Sequence, residues 1–132
     1  MNNPIQYFVT KEAIATLTEK LNLPILDERS QDWQLEISDH TRIAEFITYY
    51  EKSTLNKDEK FALMNLILSS FDDALNMTGV TPGLWCRIRD CLISDLDMFR
   101  DLIRYWALID EDYYEGFELT PYMRELVVQY SL

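Results

Sequence analysis

Between Asn56 and Gly79, apolar side chains recur on almost every face of a helical wheel. Phe61, Met64, Ile67, Leu68, Phe71 and Leu75 follow at three- and four-residue steps, the spacing that aligns side chains along one side of an α-helix. Ala62, Leu63 and Leu66 widen that stripe toward the remaining faces. A helix apolar on most sides is stable only when enclosed, so this segment is predicted to run through the middle of a domain. Its start is written in Asn56-Lys57-Asp58-Glu59, a cap residue followed three positions later by a glutamate that reaches back to the cap's amide. Met77-Thr78-Gly79 ends it, glycine being suited to a left-handed stop.

The rest of the chain supplies helices to enclose it. Lys11 to Leu21 carries Ile14, Leu17 and Leu21 at helical spacing behind Thr10 as N-cap. Asp39 or His40 to Lys52 carries Ile43, Phe46, Ile47 and Tyr50, with Asp39 placed to cap it. Thr81-Pro82 opens a further helix, since proline at the first helical position gives up an amide hydrogen that has no helical partner there. Trp85, Ile88, Leu92, Leu96, Phe99, Ile103 and Trp106 then continue the period, which one long helix would satisfy. Ser94 with Asp97 three residues on favours a restart and two helices, in keeping with ordinary helix lengths. Asp97/Arg100 and Asp101/Arg104 form i, i+3 pairs on the outer face, each contributing a few tenths of a kcal/mol. Leu119-Thr120-Pro121 starts a last helix by the same cap-and-proline logic, with Met123, Leu126, Val127 and Tyr130 facing inward. Around Pro24 the pattern dissolves, and Asn22 to Ser38 is read as loop, although Trp33, Leu35 and Ile37 alternate as in an extended strip.

The expected fold is therefore all-α: one compact domain over residues 1–132, an irregular bundle of about six helices. Three glycines and four prolines are too few for the turns of a sandwich or barrel. A chain of 132 residues that is 48% hydrophobic buries roughly two-thirds of its unfolded surface and does not stay disordered.

Charge narrows the function. Twelve basic against 23 acidic side chains give a net charge of −11, which repels phosphate backbones and anionic lipid faces. Nucleic acid and membrane surfaces are not expected partners. No apolar run approaches the ~18 residues of a membrane span, and the opening Met1-Asn2-Asn3-Pro4-Ile5 has no cationic leader, so a cytoplasmic protein is expected. Cys86 and Cys91 lie five apart in a helical pattern, about 140° around the axis, which suits neither a disulfide nor joint metal ligation; both are read as reduced core or boundary residues.

Reactive constellations are sparse. A single histidine, His40, has no second histidine or correctly spaced glutamate to build a zinc or di-iron set, and no metal or cofactor is expected. Asp110 to Gly116 fails as a calcium loop because the glycine falls one place late and position twelve is Pro121. No glycine-rich turn precedes a helix to cradle phosphate. A nucleophile pair of Cys86 or Cys91 with His40 lacks any local signature.

What stands out is Asp110-Glu111-Asp112-Tyr113-Tyr114-Glu115-Gly116-Phe117-Glu118, where five carboxylates interleave with three aromatics between helices. Aromatic anchors with a one-sign field around them suit capture of an oppositely charged partner. The alternative is a solvated acidic loop whose rings cover helix ends. Asp27, Glu28, Asp32 and Trp33, and Tyr49, Tyr50 and Glu51, are smaller acidic-aromatic groups read as packing and solvation.

The later half, from Leu63-Met64-Asn65-Leu66-Ile67 through Ile103-Arg104-Tyr105-Trp106 to Leu119-Thr120-Pro121-Tyr122-Met123-Arg124, resembles small acidic helical proteins of bacterial toxin-immunity loci. The likeness spans about half the chain and carries no catalytic motif. It implies a cytoplasmic antidote, not an enzyme, that blocks a toxin domain; nuclease toxins, which must hold phosphates, are commonly basic. The expected site is Asp110, Glu111, Asp112, Tyr113, Tyr114, Glu115, Phe117 and Glu118, acting on a basic protein partner. A different class of function, a structural or regulatory module self-associating through an apolar face around Trp85 and Trp106, is the competing expectation, and a hydrolase using His40 with a cysteine or carboxylates is the third.

Overall fold

A computed structural model describes residues 7–26, 32–78, 82–108 and 117–132. Among them are seven α-helices and no strand: α1 (Lys11–Leu21), α2 (Trp33–Glu36), α3 (Ile43–Lys52), α4 (Lys57–Thr78), α5 (Pro82–Ser94), α6 (Leu96–Ala107) and α7 (Thr120–Tyr130), with a 3₁₀ turn over His40–Arg42 leading into α3. The all-α reading holds, and six of these helices are the expected ones.

α4 occupies the centre. Ala62, Leu63, Met64, Leu66, Ile67, Leu68, Ser70 and Phe71 have no solvent-exposed surface. α1, α2, the 3₁₀ turn and α3 pack directly on α4, α5 joins α3 and α6, and α6 packs along α7. Rings tie the layers together. Tyr7, Phe61 and Phe99 stack in series at 5.9 and 6.3 Å between centroids. Phe71, Trp85 and Tyr122 form a three-way contact at 5.1–6.2 Å that joins α4, α5 and α7.

Several of the caps read from the sequence form. Thr10 Oγ1 accepts from the Ala13 amide at 3.1 Å. Asp39 Oδ1 accepts from the Thr41 amide at 2.9 Å, which caps the 3₁₀ turn; α3 itself starts behind Arg42, which makes no side-chain cap. At α4 the Asn56 side chain accepts the Glu59 amide at 2.8 Å while the Glu59 carboxylate accepts the Asn56 amide at 2.9 Å, the reciprocal box.

Three local expectations need correction. Asn22 to Ser38 is not all loop, because Trp33 to Glu36 closes one helical turn whose Ile37 amide donates to Trp33 O at 3.1 Å. Trp33 and Ile37 are four apart as well as two steps of an alternation; with no strand to pair with, the backbone satisfies its own groups, burying those two and exposing Leu35. The 82–108 stretch does divide, but Asp95 occupies the N-cap position of α6, whereas Ser94 Oγ donates back to Asp90 O at 2.8 Å. Asp95 makes no side-chain cap and instead lies 3.5 Å from Lys60 Nζ of α4, an ion pair that fixes the junction to the central helix. Thr120 is not the cap of α7 either: Leu119 holds that position and the Thr120 hydroxyl donates to Trp106 O at 2.8 Å. Thr81, the expected cap of α5, lies outside the described residues.

Truncating Phe71 removes a ring with no exposed surface that packs on Trp85 and Tyr122, so Phe71→Ala is expected to lower unfolding free energy by about 3–5 kcal/mol in urea titration. Asn56→Ala, which loses only a cap, is expected to cost about 1 kcal/mol in the same assay.

Candidate functional site

The acidic-aromatic segment connects α6 to α7. Asp110, Glu111, Asp112, Tyr113, Tyr114 and Glu115 lie outside the described residues, while Phe117 and Glu118 are placed at the return of the chain into α7. Phe117 is half-buried: its ring packs on Trp106 at 4.5 Å and on Tyr105 at 6.0 Å, so it anchors the return against α6. Glu118 is exposed.

Both ends of the connection are fixed by side chains from elsewhere. α6 ends on Leu108 in the left-handed conformation, φ 55°, which costs a non-glycine residue roughly 1–2 kcal/mol. Arg124 of α7 supports that end, donating from Nε to Ala107 O at 2.8 Å and from Nη2 to Leu108 O at 3.4 Å. On the α7 side the Leu119 amide donates to Asp72 Oδ1 of α4 at 2.9 Å, a helix N-terminus capped by a carboxylate 47 residues away in sequence. Burial pushes the Asp72 carboxyl above its ordinary value; Asp73 and Glu118 reinforce the shift by repulsion, and the amides of Leu119 and Glu118 oppose it.

α6 contributes an outward face that the sequence reading did not place in the site. Its apolar residues Phe99, Leu102, Ile103 and Trp106 turn inward. Asp97, Asp101 and Tyr105, each four residues on from the last, share the opposite side. Tyr105 is 59% exposed beside Phe117 and is edge-on to Trp106 at 5.9 Å. The signal was present: Tyr105 falls off the inward stripe and onto the stripe of the two aspartates.

The other candidates resolve into packing. Trp85 and Trp106 are 9% and 4% exposed, so they belong to the core. Trp33 and Tyr50 are buried, and Glu51 is engaged by Arg87 at 2.6 Å; Asp27 and Glu28 lie outside the described residues. Burial, with Asp95 and Cys91 nearby, raises the Tyr50 phenol well above its ordinary value. His40 is half-buried at the head of the 3₁₀ turn. Cys86 is exposed and Cys91 buried, with the Cys91 thiol pushed up to about 11, first by burial and then by Glu51, Asp90 and Asp95; a nucleophilic thiol needs the opposite shift. Among the described residues no group of three or more histidine, cysteine, aspartate or glutamate side chains is gathered as for a metal ion, and no helix is long and apolar enough to cross a membrane. A groove of about 990 Å³ between α1 and residues 22–26 is lined by Ile14, Leu23, Pro24, Ile25 and Trp33, together with Lys11 and Glu19.

Comparison of the chain with protein-family models, with curated proteins and with solved structures finds no match.

Asp72 gives a pH test of the corner. Its carboxyl is raised in the fold, so the ionised form opposes folding above the folded-state value, and the penalty disappears as pH falls below the unfolded value of 3.8. Asp72→Asn keeps an oxygen to accept the Leu119 amide and removes the charge. The variant is expected to be more stable than wild type at pH 7, the gap closing below about pH 4, by urea unfolding at stepped pH.

Proposed function

We propose that this is a non-enzymatic cytoplasmic protein that binds and blocks a basic protein partner, such as a nuclease toxin domain, in the manner of the immunity proteins its later half resembles. The surface engaged is the acidic-aromatic connection 110–118 together with the outer face of α6. The observation that carries the reading is the corner itself: an exposed Tyr105 and half-buried Phe117, flanked by the exposed carboxylates of Asp101 and Glu118, at the mouth of a segment bearing four further acids.

The physical logic is competition for a phosphate-binding cleft. Lysines and arginines arranged to hold phosphates present a positive field, and a dense set of carboxylates enters that field as the phosphates would. Long-range attraction raises the association rate above the neutral range of about 10⁵–10⁶ M⁻¹s⁻¹, and aromatic anchors that exclude water slow release. No bond is made or broken.

The test is recovery of the partner that copurifies with the chain from its native host, followed by association kinetics at stepped salt. Association is expected to slow as salt rises, and joint neutralisation of Asp110, Glu111, Asp112 and Glu115 to the matching amides is expected to lower the association rate by tenfold or more at low salt. Unchanged binding by that quadruple variant, or turnover of a small molecule by the purified chain, would sink the reading.

A further inference from the structure

We draw no further inference here: the strongest candidate, the apolar groove between α1 and residues 22–26 whose lining includes the buried Trp33 with its unpartnered indole N–H, carries nothing because nothing in the structure shows what covers it and that Nε1 is itself closed to solvent.

Discussion

The interaction on which everything else depends is the enclosure of α4. From Phe61 to Phe71 every residue of it is buried, so over those three turns it has no side that water can wet and the remaining helices must cover it. The few polar groups along its second half are then forced against neighbours, and they are used to hold incoming chain. Ser38 Oγ donates to Asp73 Oδ2, the Asp39 amide donates to Ser70 Oγ at 3.0 Å, and the Leu119 amide donates to Asp72. One helix thus fixes both the entry to α3 and the return of the acidic connection.

A second consequence concerns where the positive charge goes. Helix C-termini leave carbonyls that need donors, and arginines from other elements supply them. Arg42 donates to Leu21 O at the end of α1, Arg124 to Ala107 O at the end of α6, and Arg104 to Leu132 O beyond α7. Arg42 also pairs with Glu45 and lies over the Phe46 ring, and Arg87 pairs with Glu51 and Thr48. These cations are spent inside the architecture. The acid surplus is correspondingly left toward solvent, and at the α6–α7 corner exposed acids stand beside the exposed Tyr105 ring in sequence or along α6.

Part of this was legible in the residues where both partners of an interaction lie within one turn. Thr10 and the Asn56–Glu59 box act as read, Asp39 caps the 3₁₀ turn ahead of α3, and the inward stripes of α3, α4 and α6 bury as their spacing requires. The reading of the site was partial. Phe117 and Glu118 fall at the corner, yet Phe117 is half committed to the core, and Tyr105, which its place off the inward stripe marks as outward, lies outside the acidic segment that drew the reading. For Trp85 and Trp106 the spacing is not enough, because a tryptophan at helical spacing gives no sign of how many neighbours cover it.

By itself the sequence determined the helical class, the central helix, the local caps and the acidic surplus, because periodicity, propensity and charge act over a few residues or none. Only the tertiary structure decided that Thr120 would bond to Trp106 O instead of capping, that Asp95 would turn to Lys60, and that Asp72 would cap a helix 47 positions away. Each of those outcomes turns on which polar group is nearest once the apolar faces have closed on α4, and that proximity exists only in three dimensions.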